Sequence, residues 1–281
     1  MPPGTVFRAQ KASAMAIEVR PYEPSDLSAV ERILLAAYEH AMSPGMRSRL
    51  AIDARYAFVA ERDGEVAGFV MASDYGGVAF IASMGVDPRH QHCGAGRALM
   101  TRLVDDLERG GVTAMLLDAT AAGAPLYETF GFVDTDRVWV FDREATRVVP
   151  GEADVDATEL ERAVEIDRRL CRCDRSAIVR GFAREAGAFL AVRSAGYILA
   201  REDAIGPFVA AGIEEAQPLL AAALEARPRA RKLFVPETNA AALQLARDAG
   251  FVQARSLRHM ERGKSPFPRE VVFGQASLGH G

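Results

Sequence analysis

Pro88-Arg89-His90-Gln91-His92-Cys93-Gly94-Ala95-Gly96-Arg97-Ala98-Leu99 stands between a strand pattern and a helix pattern. Upstream, Val78 to Val86 is a β-type run that Pro88 ends. Downstream, Leu99, Met100, Leu103, Val104 and Leu107 fall on one face of a helix that runs to Gly110-Gly111. Two glycines just ahead of a helix let the chain turn tightly and aim several amide N–H groups at one spot, where the helix dipole adds positive potential. Such a loop is a cradle for an anion of the pyrophosphate kind. Its spelling excludes two nucleotide loops. A P-loop needs Lys-Ser or Lys-Thr where Arg97-Ala98 stands, and a dinucleotide fingerprint needs glycine where Leu99 stands.

Outward from this loop, Ala16 to Arg20 reads as a short strand, and Ser25 or Asp26 caps a helix with Leu27, Val30, Ile33, Leu34, Ala37 and Tyr38 along one stripe. Ser43-Pro44-Gly45 breaks that stripe. Tyr56 to Ala60 and Val66 to Ala72 form a hairpin across Asp63-Gly64, and both runs are apolar on two faces, so the sheet is expected to be covered on both sides. Val78 to Val86 extends the hairpin series. Val112 to Leu117 is a buried strand, Pro125 to Phe130 a short helix and Val138 to Phe141 a further strand. The order is strand, helix, three antiparallel strands, Gly-rich loop, helix, strand, helix, strand: an α/β fold of the α+β, mixed-sheet kind.

The chain has 281 residues, 49% of them apolar, enough for two packed cores. A linker is read from Arg143 to Asp154, which divides a unit at 16–145 from one at 146–281. The second opens on a helix capped by Asp156 with Glu159 three residues on. It looks like a weakened copy of the first: Ala188-Phe189-Leu190-Ala191 answers Ala57-Phe58-Val59-Ala60, and the stretch Asn239 to Phe251 aligns without gaps on Thr120 to Phe132. Lys and Arg total 34 against 38 Asp and Glu, for a net charge of -4, which gives no pull toward nucleic acid or anionic lipid. Cys93, Cys171 and Cys173 suit a reducing, cytoplasmic setting rather than a disulfide framework. No apolar run reaches the roughly 20 residues of a membrane span. Residues 1–15 read as a disordered leader, with no secretory h-region.

The segment Gln91-His92-Cys93-Gly94-Ala95-Gly96 resembles the Gln/Arg-x-x-Gly-x-Gly/Ala motif by which the GNAT superfamily of N-acetyltransferases binds acetyl-CoA. Leu126-Tyr127-Glu128-Thr129-Phe130-Gly131-Phe132 is similar to that superfamily's Leu-Tyr-x-x-x-Gly-Phe segment. The resemblance covers Ala16 to Asp142 well and the remainder as a degenerate copy, as in tandem members. It implies two GNAT-like units, each a mostly antiparallel central sheet flanked by helices. It further implies that amides of Gln91, His92, Cys93, Gly94, Ala95 and Gly96, with Arg97 and Ala98, hold the pyrophosphate of acetyl-CoA. Met84, Gly85 and Val86 would pair with the pantetheine arm, in a slot where their strand splays from Val112 to Leu117. Tyr127 would stand near the sulfur. Thr120 takes the place of an Asn often found seven residues before that Tyr.

A phenol of pKa near 10 is still protonated at neutral pH, so it can give a hydrogen bond or proton to a departing thiolate whose thiol has a pKa near 8.5. The attacking amine must itself lose a proton, at a cost of about 4.6 kcal/mol at pH 7 for a Lys-like ammonium. Glu61, Asp74, Ser83 and Asp118 are the candidates to assist, and the sequence selects none. The expected activity is acetyl transfer to a primary amine of a small molecule or peptide by direct attack on the thioester, with no metal; the rival is a non-catalytic acyl-CoA sensor or interaction protein. A homodimer stays open. His90 and His92 read as solvated residues of an exposed turn, Cys93 as a contributor of backbone, and Trp139 as a sheet residue. The second copy lacks a cradle at Ile205 to Gly212 and has Ala246 where Tyr127 stands, so no acetyl-CoA turnover is expected there and its use is structural, completing a substrate cleft or an intramolecular dimer, with Glu270 to Phe273 as its last strand candidate.

Overall fold

The computed structural model describes residues 16–38, 54–144 and 155–281, together with Arg47 and Leu50. The expected leader and all but the first two residues of the expected linker lie outside these. In chain order the elements are β1 (Glu18–Pro21), α1 (Leu27–Tyr38), β2 (Ala57–Arg62), β3 (Glu65–Asp74), β4 (Val78–Val86), α2 (Ala95–Arg109), β5 (Ala114–Ala119), α3 (Ala124–Glu128) and β6 (Val133–Asp142). The second half follows with α4 (Ala157–Cys171), α5 (Ser176–Ala183), β7 (Phe189–Arg193), β8 (Gly196–Ala200), β9 (Ala204–Ala210), α6 (Ile213–Ala226), β10 (Lys232–Pro236), α7 (Ala240–Asp248), β11 (Val252–Arg262) and β12 (Val272–Gly274).

All strands among the described residues belong to one mixed sheet of 12, ordered β1-β2-β3-β4-β5-β11-β6-β10-β9-β8-β7, with β12 against β9. The halves exchange strands. β11 of the second half lies between β5 and β6, pairing Met260 with Leu117 and Leu257 with Val138; β6 of the first half lies between β11 and β10, pairing Val140 with Phe234. The two halves therefore share a continuous ladder of backbone hydrogen bonds.

Apolar alternation fixes which side of the sheet each helix covers. Leu99, Met100, Leu103, Val104 and Leu107 of α2 pack with Phe58, Val70, Ile81, Met115 and Leu117 on one face. Each such side chain contributes about 1.5–3 kcal/mol through burial. Val30 and Leu34 of α1 cover Val59, Phe69, Met71 and Ala82 on the other face, so the first sheet is enclosed on both sides as its two-faced apolar strands require. Phe80, Leu116 and Ala114, on that same second face, pack with Val164, Ile178, Phe182 and Tyr197 of the second half.

Three expectations shift. The short helix runs from Ala124 to Glu128, because Thr129 to Gly131 close in turns on Leu126, Tyr127 and Glu128. β6 begins at Val133, five residues before the expected start, where its polar residues are satisfied across the sheet: Arg258 donates to Asp134 and Arg269 to Asp136. The expected strand Glu270 to Phe273 opens on a 3-10 turn, Arg269–Val271, before β12.

Candidate active site

β4 and β5 run parallel and pair only through Val78, Ala79 and Phe80 against Ala114, Met115 and Leu116. Beyond those residues the strands part. A bulge in β4 helps them to: Ala82 still faces Met71 of β3 and Gly85 faces Phe69, so Ser83 and Met84 are looped out, with Ser83 at φ 54°. α1 lies directly on this bend, since a Cβ at Gly85 would stand 3.2 Å from both Ile33 and Leu34. Tyr38, at the end of α1, donates its hydroxyl to the Met84 carbonyl at 2.6 Å. Met84, Gly85 and Val86 thus border an open V between two strands, with backbone groups along one side.

The Gly-rich loop leaves the end of β4 through Asp87, which sequence reading passed over. Asp87 is buried, its N–H donates to the Ala67 carbonyl, and its carboxylate accepts from the Arg89 amide (2.9 Å), from the Arg89 guanidinium (3.0 and 3.2 Å) and from Arg32. These hydrogen bonds, those of Arg89 first, hold the carboxyl well below the usual carboxylate range against the opposing cost of burial. From this anchor a 3-10 turn, Pro88–His90, leads into His92 at φ 60° and Gly94 at φ 94°. The two left-handed residues curl the chain so that α2 starts at Ala95 with its first turn facing the V.

The amides of Ala95, Gly96 and Arg97 are first-turn donors that the helix leaves without carbonyl partners. Gln91, His92 and Gly94 are exposed, and Arg97 reaches outward with its guanidinium 5.9 Å from the Phe130 ring. Gly96 faces inward: a Cβ there would meet Met84 at 3.3 Å and Leu126 at 3.4 Å, which brings the helix start against both sides of the gap. Ala98 departs from expectation, because its N–H already bonds the Gly94 carbonyl at 3.0 Å and is the first amide that the helix itself satisfies. Cys93 donates its thiol to the His90 carbonyl, so its side chain as well as its backbone shapes the loop. His90 departs too. The turn folds it back over the start of β3, where its side chain is 14% exposed and Nε2 lies 3.9 Å from Glu65. Among the described residues no three His, Cys, Asp or Glu side chains gather as a metal set.

Tyr127 projects from the one-turn helix α3 on the α2 side of the sheet, edge-on to Phe132 at 6.2 Å between ring centroids. It is 9% exposed, and burial, with a smaller contribution from the nearby Tyr38 phenol, raises its pKa well above that of free tyrosine. The phenol is therefore a donor throughout the neutral range. Thr120 is exposed at the end of β5, and its Oγ1 accepts from the Gly123 amide at 3.2 Å, which shapes the turn into α3.

The four candidate bases separate by position. Glu61 accepts from Arg20 at the outer strand pair, and Asp74 accepts from the Gly76 and Gly77 amides in a turn. Ser83 sits in the bulge of β4. Asp118 stands on β5 just past the last pair with β4, its side chain buried, with His259 on one oxygen and Gln275 on the other.

The second half repeats the V and then closes it. β9 and β10 pair only through Ala204 and Ile205 against Lys232 and Leu233. Into the gap beyond goes β12, with Val272 opposite Val209 and Gly274 opposite Phe208, while the Gln275 N–H donates to the Phe234 carbonyl of β10 at 2.8 Å. Asn239, the counterpart of Thr120, caps α7 by accepting from Ala242 and donates to the carbonyls of Glu270 and Val272. α6 follows Gly212 with two acidic residues, Glu214 and Glu215, in its first turn, a place hostile to a phosphate.

Residues 23–132 match the family model described as the acetyltransferase (GNAT) family, and residues 163–274 match the one described as the acetyltransferase (GNAT) domain. Over 78 residues the chain is 36% identical to the [ribosomal protein bS18]-alanine N-acetyltransferase of Escherichia coli; this is 27% of the chain and 53% of the relative, so the match spans about half the length of that protein. A solved protein from Pyrococcus horikoshii superposes with a TM-score of 0.81 at 26% identity, over 94% of this chain and 96% of that one. A GCN5-related N-acetyltransferase from Sphaerobacter thermophilus shares the fold with a TM-score of 0.63 at 20% identity, over 90% and 97% of the two chains. The chain therefore belongs to the GNAT acetyltransferase family, with two domains of that family in tandem.

Proposed function

We propose that the first half is an N-acetyltransferase that takes acetyl-CoA as donor and a primary amine of a small molecule or peptide as acceptor, and that the second half completes its cleft. The observation that carries this reading is the V between β4 and β5, which opens beside both the free amides of α2 and the phenol of Tyr127. The cradle fits a diphosphate: its donors converge, Arg97 adds a positive charge, and Gly94 leaves its outer side open, with no atom within 4 Å of a Cβ there. Acetyl-CoA supplies a thioester when bound.

The residues divide the work. The amides from Gln91 to Arg97 bind the diphosphate, and the backbone of Met84 to Val86 along the gap aligns the arm that follows. Tyr127, buried and protonated, gives a hydrogen bond to the sulfur as its charge develops, a role that its raised pKa suits better than outright ionisation. Thr120 orders the turn that carries Tyr127. Of the four candidate bases, Ser83 on β4 and Asp118 on β5 stand beside the gap. The E. coli relative is named for an alanine α-amine of a ribosomal protein, which favours a peptide amino terminus among the acceptors to be tried.

The test is release of free thiol from acetyl-CoA with a panel of peptide amino termini and small amines, alongside calorimetric binding of coenzyme A. Saturable binding with amine-dependent thiol release supports the enzyme; binding with no release from any amine favours an acyl-CoA sensor.

A further inference from the structure

The open end of β5 is held from the other half of the chain. Asp118 lies two residues past Leu116, the last residue of β5 opposite β4, and on the face of the sheet that carries Phe80 and Leu116, away from Tyr127. His259 Nδ1 lies 2.7 Å from Asp118 Oδ1, and Gln275 Nε2 donates to Oδ2 at 2.9 Å. The imidazole ring stands 6.3 Å from the ring of Phe80, the last residue of β4 to pair with β5. The side chains of Asp118 and His259 are 0% exposed, and Gln275 is equally buried.

An ionised carboxylate only accepts, so Asp118 fixes both partners: a hydrogen on Nδ1 of His259, and the amide N–H of Gln275 turned toward it. His259 Nε2 and Gln275 Oε1 then face elsewhere, each without a hydrogen-bond partner among the described residues, and Glu261 Oε1 stands 3.6 Å from Nε2. Apolar residues of similar volume often hold packed strands together as well as buried charged groups do. The polar trio does something an apolar one cannot, which is to fix the direction of one carboxylate. Both anchors come from the second half. His259 rides on the exchanged strand β11, and Gln275 follows β12, its own N–H bonded to β10.

We propose that His259 and Gln275 are positioning residues for the reaction of the first half: they hold Asp118, and through it the end of β5 that leads to Thr120 and Tyr127, at the edge of the gap. This rests on the function proposed above.

The experiment compares His259→Leu, which removes the donor, His259→Asn, which keeps an N–H near the place of Nδ1, and Gln275→Met, which keeps the side-chain length and covers the case in which His259→Leu does not fold. Each full-length variant is measured for melting, coenzyme A affinity, turnover, and amide hydrogen exchange over residues 119–127. Misplacement by about 1 Å can cost about 100-fold in rate, so turnover falls by up to that much in His259→Leu and Gln275→Met. Coenzyme A affinity stays within about two-fold, since uniform binding is untouched. Exchange over residues 119–127 quickens about ten-fold, and His259→Asn recovers most of the turnover. Wild-type exchange and turnover in a folded His259→Leu or Gln275→Met protein overturns the proposal. So does a lowered melting point with turnover per folded molecule intact. Should the wild-type chain bind coenzyme A and transfer nothing, the proposed function fails, while the exchange measurement still decides the positioning.

Discussion

Asn239 donates its side-chain amide to the Val272 carbonyl at 3.0 Å and to the Glu270 carbonyl at 2.8 Å, tying β12 into the gap of the second half. The position that in the first half borders an open slot here grips a strand of the protein itself. Titration with coenzyme A is expected to give one site per chain, and a second saturable site would contradict it. Asn239→Ala removes the donor to two carbonyls and the cap of α7, and loss of buried hydrogen bonds of this kind costs about 1–3 kcal/mol in denaturant unfolding.

Tyr127→Phe keeps the ring against Phe132 and loses the hydroxyl. Turnover is expected to fall about 100-fold or more, the ordinary weight of a placed acid, with coenzyme A affinity unchanged. Because burial raises the Tyr127 pKa, the phenol stays protonated above the usual pH of about 10, so any alkaline limb of kcat below that pH persists in the variant. Equal turnover in the two proteins would remove Tyr127 from the reaction.

Gly94→Ala tests the cradle with little steric interference. Nothing lies within 4 Å of the added Cβ, yet the φ of 94° strains any L residue. The left-handed backbone costs about 1–2 kcal/mol. The loop is expected to relax it by turning its amides off target, which raises KM for acetyl-CoA more than it lowers kcat.

Asp87→Asn tests the anchor of that loop. The carboxyl is held below its ordinary pKa, so it stays ionised in the folded chain while its unfolded counterpart takes a proton near pH 3.9. Its stabilisation is complete above that pH and is lost as the pH falls toward the folded value. Urea unfolding is expected to show the variant less stable at pH 7, with a shallower decline below pH 4 than wild type. Coenzyme A affinity should weaken as well, because Arg32 and Arg89 lose their common partner.

Much of the first half could be read from residues alone, for physical reasons. Apolar periodicity placed α1 and α2, Asp63-Gly64 placed the hairpin, and two glycines before a helix placed the cradle. Asp156 was legible as a cap because its acceptor role is local, and it accepts from the Thr158 and Glu159 amides. The exchange of β6 and β11 was not legible. Val252 to Arg262 carries Arg255, Arg258 and Arg262 without a clean apolar alternation, and Asp134 and Glu108, the partners of Arg258 and Arg262, are remote in sequence, so nothing local marks this charge-rich run as a central strand. Asp87 and His259 escaped for the same reason. A lone carboxylate or imidazole gains meaning from Arg32, Arg89 or Asp118, and no spacing rule announces those pairs.

Because the first half lends β6 and the second lends β11, the joint between them is not a surface that two finished bodies press together. Neither half can complete its own sheet alone. A cut in the connecting stretch is expected to yield two mutually dependent fragments rather than two proteins, because each would keep unpaired strand edges that the other now covers.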